Sequence, residues 1–258
     1  MKTRFLGIFL LFPAGLGFHS ASITDVLCQD EVEPGIVVRE ELMLEGFTLR
    51  VDRTLLDGGS QMAAGRKALA LAKADFTRIN FVVPPDIVSQ WQKFVVVIDW
   101  DHPLTDGMQY HPSAKWLESN GYSVELAKCI HIANTNRYIS SDHAFVQPSA
   151  MIHEMAHAFH DQVLGFDEPK IRAAFNRAQI EGQYESVLFV KGGKRRHYAL
   201  TNHKEYFAEA TEAWFGTNDF YPFVRAELKE HDPRMFDRVR AIYSPQSGAV
   251  SEGSSPAK

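Results

Sequence analysis

The chain has little of what marks several protein classes. Lysine and arginine number 27 against 32 aspartates and glutamates, so no basic surplus exists to attract nucleic acid or an anionic membrane. No internal repeat is visible, and beyond the N-terminus no apolar run is long enough to span a bilayer. The composition, 45% hydrophobic and 23% charged over 258 residues, is that of a folded globular protein rather than a disordered one.

Cysteine is also scarce, and its role depends on whether the protein is exported. Lys2 and Arg4 precede the apolar run FLGIFLLFPAGLGF, and small residues follow in HSAS. This order predicts a signal peptide over residues 1–21 and a secreted or periplasmic/extracellular protein without stable membrane anchoring after cleavage. A membrane anchor is the alternative, although the run is short for a span of ~20 residues. After export, Cys28 and Cys129 could form one disulfide, or they could be two unrelated buried thiols.

The rest of the chain is predicted to form a single domain over residues 29–243, because no linker-like stretch interrupts it. The tail over residues 244–258, SPQSGAVSEGSSPAK, is rich in serine, glycine and proline and has almost no large apolar residues. Such a composition cannot bury enough apolar surface to order itself, so the tail is predicted to be disordered.

The spacing of apolar residues predicts an α+β fold, with a small mixed sheet followed by a mostly helical C-terminal half. Strands are predicted in IVVREELMLEGFTLRVD, KFVVVIDW and CIHIAN, the last as an edge strand. ESVLFV and RRHYAL flank the turn KGGK and predict a hairpin. One helix is predicted in SQMAAGRKALALAKADFTRI, and others over 149–164, 168–181, 202–216, 219–230 and 233–243.

The stretch MIHEMAHAFHDQ contains two histidines four positions apart, with a glutamate after the first. On a helix, His153 and His157 lie one turn apart on a common side, so both imidazoles can bind one zinc ion. Glu154 can then reach a metal-bound water and act as general base. The pattern alone leaves open a helix whose histidines are only buried and hydrogen-bonded. An apolar stripe beside them is predicted to pack into the core: Ile152, Met155, Ala156, Phe159 and Val163.

A third ligand is not obvious from this helix. His160 lies on the same side and could be a rival ligand, a group that supports a ligand, or a packing residue. We favour the last two, because three ligands along one straight helix would span ~10 Å, too far for one zinc ion. A metzincin would need glycine and histidine where this chain has His160 and Val163. A deformylase-like site would need a cysteine, but the surroundings of Cys129, AKCIHI, lack the expected pattern.

A second helix, TNHKEYFAEATEAWFG, offers carboxylates instead. Glu205, Glu209 and Glu212 stand at i, i+4 and i+7, among aromatic residues. Glu205 could simply belong to a helix start capped by Asn202, and the other two could form a solvated face. Their aromatic neighbours make full solvation less favourable, and a buried carboxylate needs a partner such as a metal or its histidines.

These two helices together resemble the catalytic domain of anthrax lethal factor and its relatives, which include the Pro-Pro endopeptidases. In that family a helical HExxH is followed about 45 to 50 residues later by a glutamate in an E-[FYM]-F-A-E-A-like helix, with a tyrosine seven residues before it. Here His157 and Glu205 are 48 residues apart, and Tyr198 precedes Glu205 by seven. The likeness extends roughly over residues 95–216.

The resemblance implies a zincin-like metallopeptidase domain, in which a small mixed sheet presents an edge strand over the active-site helix. It implies one Zn²⁺ ion and the following ligands: His153, His157 and Glu205. Glu154 would be the general base, and Tyr198 would donate a hydrogen bond to the developing oxyanion. Glu209 would orient a ligating histidine through its free N–H, with His160 as a further supporting group.

The expected function is that of a secreted, monomeric zinc endopeptidase acting on an extended peptide or protein, which would pair with the CIHIAN strand. Two alternatives remain: a zinc-binding protein without proteolytic activity, and a zinc hydrolase of a non-protein amide. The segment WDHPLTDGMQYHPSAKWL, with His102 and His111, either lines a substrate cleft or is an ordinary aromatic-rich loop. The basic turn KGGKRR before His197 is interpreted as a solvated hairpin, with substrate contact as the alternative.

Overall fold

The computed structural model describes residues 37–244. The predicted signal peptide, Cys28 and the predicted tail beyond Ser244 lie outside the described residues. Within the described range, a small mixed sheet is followed by a mostly helical half, as the sequence predicts for an α+β fold. None of the helices in this range is long and apolar enough to cross a membrane.

The main sheet has five strands. They are Arg39–Leu44 (β1), Phe47–Asp52 (β2), Val95–Ile98 (β3), Met108–Tyr110 (β4) and Cys129–Ile132 (β5). Their order across the sheet is β1-β2-β3-β5-β4, with β1 and β4 antiparallel to their neighbours and the three central strands parallel. A separate two-stranded sheet pairs Val187–Leu188 (β6) with Lys194–Arg195 (β7).

The α-helices lie mostly after the sheet. They are Met62–Val82 (α1), Pro85–Trp91 (α2), Ala114–Ser119 (α3), Thr135–Tyr138 (α4), Ser141–Val146 (α5), Ala150–Phe159 (α6), Pro169–Glu181 (α7), His203–Phe215 (α8), Arg225–His231 (α9) and Pro233–Tyr243 (α10). A π-helical turn, His160–Leu164, extends α6, and a short 3-10 turn, Tyr198–Leu200, precedes α8. The sequence predicted α6 and this extension as one helix over 149–164.

One face of the sheet and the helices share a single large core. β2 shows why these residues form a strand with one buried face, since Phe47, Leu49 and Val51 alternate with more exposed residues and are fully buried. The Phe47 ring stacks on Phe76 of α1, with 4.3 Å between the ring centroids. The helical half packs around Tyr243 of α10, which contacts aromatic rings of α2, α6 and α8.

The prediction that CIHIAN forms an edge strand is wrong. β5 lies between β3 and β4, and all of its residues are buried. The edge strand on that side of the sheet is β4, which the sequence did not indicate as a strand. The alternation in CIHIAN suggested a solvated face because it contains His131, but this histidine is buried and binds the Asp99 carboxylate at 2.9 Å. A buried partner therefore replaces the solvent that the pattern implied.

Two further boundaries differ from the sequence predictions. The helix predicted over 219–230 begins only at Arg225, because residues 218–221 fold back instead and pair Phe220 with Phe189 in an isolated β-bridge. The predicted hairpin around KGGK is present, but its strands have only two residues each. The fold-back segment and the hairpin together form one side of the cleft described below.

The first turn of α6 is held against the end of α8. The Ser149 hydroxyl oxygen accepts a hydrogen bond from the Thr217 N–H at 3.0 Å. Gly216 makes this approach possible, because a Cβ there would lie 2.3 Å from the Ser149 oxygen. The two helices that carry the predicted ligands are thus fixed side by side.

Candidate active site

α6 presents its two histidines from a helix that is otherwise mostly buried. Met155 and Ala156 have no exposed surface, and they fix the rotation of the helix about its axis. His153 and His157 therefore face the same direction, with ring centroids 4.7 Å apart. The polar pair occupies the side of α6 that turns towards α8.

α8 supplies the third group through its capped first turn. The Asn202 side-chain oxygen accepts hydrogen bonds from the N–H groups of Lys204 and Glu205, at 2.9 and 3.1 Å. This is the usual role of asparagine at a helix N-cap, and it fixes the backbone from which Glu205 projects. The Glu205 carboxylate does not return to the cap but reaches across to α6.

Three ligand-type atoms meet at one point. Glu205 Oε2 lies 3.1 Å from His153 Nε2 and 3.0 Å from His157 Nε2, and the two nitrogens are 3.0 Å apart. Imidazole nitrogen and carboxylate oxygen are atoms that zinc binds in proteins, typically with three protein ligands at a catalytic site. The three residues predicted as metal ligands are thus brought together across 52 residues of sequence.

The electrostatics follow from this close approach. Burial by itself would lower the pKa of His153, but its hydrogen bonds to Glu205 and Glu212 raise that pKa well above the usual range. Burial would raise the pKa of Glu205, and the two histidines more than reverse this effect, so the pKa falls well below its usual value. Glu205 therefore remains an anion, which suits a metal ligand.

The carboxylate that orients His153 is Glu212. Its Oε1 lies 2.6 Å from His153 Nδ1, whereas the nearest oxygen of Glu209 is 3.7 Å from the same nitrogen. The hydrogen bond to His153 that the resemblance implied for Glu209 is therefore made by Glu212 instead. Glu205 and Glu212 are seven residues apart, two helical turns, so both can meet the ring of His153 from one side of α8. Glu209 is buried, and its Oε2 has no hydrogen-bond partner among residues 37–244.

Glu154 lies on the cleft wall next to the histidines and is 8% exposed. Its Oε2 accepts a hydrogen bond from the Tyr110 N–H at 2.6 Å, so the edge strand β4 holds this carboxyl in place. Burial raises the pKa of Glu154, and the nearby histidines oppose that shift. The sequence pointed to Glu154 but not to Tyr110, because a backbone N–H from a distant strand leaves no pattern.

Tyr198 stands at the start of the 3-10 turn that precedes α8, and it is 49% exposed at the cleft. The turn is capped by His197, whose Nδ1 accepts a hydrogen bond from the Ala199 N–H at 3.1 Å. The Tyr198 ring centroid lies 6.5 Å from that of His153. Burial and the neighbouring Glu205 raise the pKa of Tyr198, so its hydroxyl keeps its proton and can donate.

His160 is a packing residue, the second of the two roles favoured from the sequence. Its ring is fully buried against Phe166 and Phe207, with centroids 5.2 and 4.9 Å away. Neither ring nitrogen has a hydrogen-bond partner among the described residues. Burial lowers the pKa of His160 to about 3, so the ring is neutral at ordinary pH.

The other predicted histidines belong to a different cluster. His111 Nε2 lies 3.2 Å from His131 Nδ1, and the ring of His102 packs against that of His131. This cluster occupies the face of the sheet opposite the main core, so His102 and His111 do not line the cleft. Only the middle of WDHPLTDGMQYHPSAKWL, strand β4, does. Alternate side chains of a strand point to opposite faces of the sheet. Because the sequence did not show that this segment contains strand β4, it could not indicate which of its residues face the cleft.

The cleft itself has a volume of about 540 Å³. It is lined by Met108, Gln109, Tyr110, Gln147, Ala150, His153, Glu154, His157, Phe189, Tyr198, Glu205, Glu209, Glu212, Asp219 and Phe220. Of these, Asp219 was missed entirely from the sequence. It approaches Glu212 only because the chain folds back after α8, and that reversal lies in a stretch predicted to be helical.

The cleft therefore gathers five groups from three chain segments: two imidazoles and a carboxyl on α6, a tyrosine ahead of α8 and a carboxylate on α8. Such a set can hold a cation, accept a proton and donate a hydrogen bond within one cavity. Comparisons of the chain with protein-family models, with curated proteins and with solved structures found no match.

Proposed function

We propose that this protein is an exported zinc-dependent endopeptidase with a zincin-like catalytic domain of the anthrax lethal factor type. The observation that carries the proposal is the meeting of His153, His157 and Glu205 beside Glu154 and Tyr198 at one cleft. These residue types and their order along the chain agree with the resemblance, and their convergence in space is independent of it. We propose that it acts as a monomer.

The chemistry of the three converging groups fits zinc. If His153 Nδ1–H donates a hydrogen bond to Glu212, the Nε2 of the neutral ring has a free lone pair facing Glu205 and His157. Two nitrogens and an anionic oxygen that face one another need a proton or a cation between them. His153, His157 and Glu205 would hold the ion, and Glu212 would fix the ring orientation of His153.

A zinc ion held by these residues would supply Lewis-acid chemistry, lowering the pKa of a water molecule and polarising a substrate carbonyl. Glu154 is placed to take the proton from the attacking water, because Tyr110 holds one carboxyl oxygen and the other faces no hydrogen-bond partner in the described residues. The same carboxyl then delivers the proton to the leaving amine nitrogen. Tyr198 donates its hydroxyl hydrogen to the carbonyl oxygen as negative charge develops there.

Strand β4 supplies a place for an extended substrate. The Ala133 N–H donates a hydrogen bond to the Gly107 carbonyl oxygen, and the His111 N–H donates one to the Cys129 carbonyl oxygen. The alternate residues between them, Met108 and Tyr110, therefore turn their backbone groups away from β5. The Tyr110 N–H is taken by Glu154, which leaves the Met108 N–H and C=O and the Tyr110 C=O for β-addition. The peptide would thus run along the edge of the sheet, next to Glu154.

Replacing Glu154 tests this mechanism. Glu154→Gln keeps the size and the Tyr110 hydrogen bond but cannot accept the proton, so kcat should fall by about 10²–10⁴-fold on peptides cleaved by the wild type. Metal analysis should still give one zinc per chain, because Glu154 is not among the ligands. Glu118→Gln, on the exposed side of α3, is the matched control.

Full activity in Glu154→Gln would overturn the mechanism. Stoichiometric zinc in the wild type, together with no turnover across a diverse peptide library, would overturn the proteolytic function. A zinc-binding protein without peptidase activity, or a hydrolase of another amide, would then be the better description.

A further inference from the structure

Strand β4 is short for an element that holds a reacting group. It has three residues, and within residues 37–244 its only strand partner is β5. Short strands at a sheet edge open more readily than central ones, because few hydrogen bonds hold them. The Tyr110 N–H of this strand nevertheless fixes the Glu154 carboxyl. A further contact is therefore needed to keep Tyr110 in place.

The side chain of Tyr110 makes that contact with the π-helical turn that extends α6. Its hydroxyl donates a hydrogen bond to Asp161 Oδ2 at 2.6 Å and accepts one from Gln162 Nε2 at 3.1 Å. Burial and the neighbouring Asp161 raise the pKa of Tyr110, so the hydroxyl keeps its proton and remains the donor. Because Asp161 follows Glu154 by seven residues, α6 and its extension hold Tyr110 at both its backbone and its hydroxyl.

Lys128, which immediately precedes β5, adds a positive charge to this contact. Its ammonium group donates a hydrogen bond to the same oxygen of Asp161 that the Tyr110 hydroxyl reaches. Its backbone N–H donates to the His111 carbonyl oxygen at 2.7 Å. Lys128 has a φ of 61°, in the left-handed region that residues with a Cβ usually avoid. Such a conformation persists only where the surrounding contacts hold it, and the pair with Asp161 is one of these.

Asp161 lies outside the cleft but is not a freely solvated surface group. Its side chain is 14% exposed, and neither Asp161 nor Lys128 belongs to the cleft lining. Asp161 therefore touches neither a substrate nor an ion held at the proposed site, and it can affect the chemistry only through Tyr110. Its place in a π-helical turn agrees with this, because such turns in α-helices are frequent at functional sites.

We propose that Asp161 is a positioning residue for the general base. It holds the Tyr110 hydroxyl and so fixes the N–H that orients the Glu154 carboxyl, while Lys128 holds Asp161 in turn. The inference rests on the proposed peptidase function and names the group that prepares Glu154 for proton transfer. Catalysis requires reacting groups close to the productive geometry, so a small displacement of Glu154 lowers the rate while the metal ligands stay in place.

Removing a single oxygen atom tests this role. Tyr110→Phe keeps the ring and the backbone N–H but loses the hydroxyl. Hydrogen exchange of the residue-110 amide, measured by NMR, should become about tenfold faster. On a peptide that the wild type cleaves, kcat should fall about tenfold, which is about 1.4 kcal/mol in the barrier. KM should change less than kcat, because Met108 stays paired with Ile132 of β5.

Variants of Asp161 and a matched tyrosine complete the experiment. Asp161→Ala should reproduce both effects, whereas Asp161→Asn keeps an accepting oxygen and should stay closer to the wild type. Tyr138→Phe is the control, because the Tyr138 hydroxyl donates to Asp75 at 2.8 Å and neither residue lines the cleft. It should cost stability but leave kcat and the exchange of the Tyr110 amide unchanged.

The outcomes separate this inference from the function on which it rests. Unchanged exchange at residue 110 in folded Tyr110→Phe overturns the proposal, and so does an equal increase throughout the protein, which would be general destabilisation. If exchange rises at residue 110 while kcat stays the same, Asp161 does not position the base and the peptidase function stands.

If the wild type cleaves no peptide, the proposed peptidase function fails. The exchange data then still decide whether Asp161 fixes the contact between Tyr110 and Glu154. A thermal melt shows whether each variant folds, and the comparison of Asp161→Ala with Asp161→Asn decides the question even if Tyr110→Phe does not fold.

Discussion

At the residue scale, the site is distinguished by which carboxylate meets which nitrogen. Glu209 and Glu212 are three residues apart on the same buried side of α8, and both approach His153. The difference between 2.6 and 3.7 Å decides that Glu212 accepts a hydrogen bond from His153 Nδ1–H and that Glu209 does not. A group in this position fixes the tautomer of the ring and makes its other nitrogen a better ligand.

Two matched substitutions test this difference. Glu212→Gln should weaken zinc binding by about 10–100-fold, because a neutral amide replaces the carboxylate behind His153. Glu209→Gln changes the same atoms one turn away, and the zinc dissociation constant should stay close to that of the wild type. Competition with a chromophoric chelator measures both constants. A larger loss in Glu209→Gln than in Glu212→Gln would restore the assignment made from the sequence.

At the element scale, the start of α8 determines where Glu205 stands. Glu205 is the third residue of the helix, so its position depends on the turn that Asn202 caps. The short Tyr198–Leu200 turn immediately before it is itself capped by His197. Two consecutive capped turns therefore set the spacing between the tyrosine and the glutamate, the feature that the sequence showed as seven residues.

Removing the cap should affect stability and metal binding together. Asn202→Ala leaves two N–H groups of α8 without their partner, so the free energy of unfolding should fall by about 1 kcal/mol. Frayed backbone at Glu205 should also weaken zinc binding. Asn202→Asp keeps the accepting oxygen and should retain both properties. Urea unfolding and the chelator assay measure the two effects, and an unchanged zinc affinity in Asn202→Ala would show that the first turn is held by packing instead.

At the scale of the whole molecule, a buried polar network ties the sheet together on the face away from the main core. Asp99, at the end of β3, accepts two hydrogen bonds from Arg39 of β1, both at 2.7 Å, and one from His131 of β5. His131 in turn contacts His111 beyond β4. Burial would raise the pKa of Asp99, but His131 and Arg39 lower it to about 2.

This network predicts a specific loss of stability in acid. The folded-state pKa of Asp99, about 2, lies below the value of about 3.9 in an unfolded chain, so the unfolded state binds the proton first. The stabilisation is nearly complete above pH ~4 and is lost as the pH falls towards ~2, and in total it amounts to about 2.5 kcal/mol.

Metal-free wild type and Asp99→Asn should be compared by urea unfolding across this range. The variant should be less stable at pH 5, because Arg39 and His131 lose their anionic partner. The gap between the two proteins should narrow by about 2 kcal/mol between pH 4 and pH 2. Parallel curves would show that Asp99 does not carry this share of the pH dependence.

The elements that could be predicted are those whose cause is local. The two histidines of α6 and the capped start of α8 follow from residues within a turn or two of each other, because helical spacing and capping act over that distance. Strands β2 and β3 could also be predicted, β2 from the alternation of its apolar residues and β3 from its run of β-branched residues. The interior position of β5 could not be predicted in this way, since the polarity of His131 is satisfied by Asp99, 32 residues earlier.

The sequence by itself determined the helix that carries His153, Glu154 and His157, and the family resemblance of its motifs pointed to Glu205 and Tyr198. Only the tertiary structure decided that β4 is the edge that holds Glu154, that Glu212 supports His153, and that Asp219 joins the cleft. The physical reason is the range of the interactions. Periodicity and caps act between neighbours, whereas a carboxylate finds its partner only after packing has fixed the distances between separate elements.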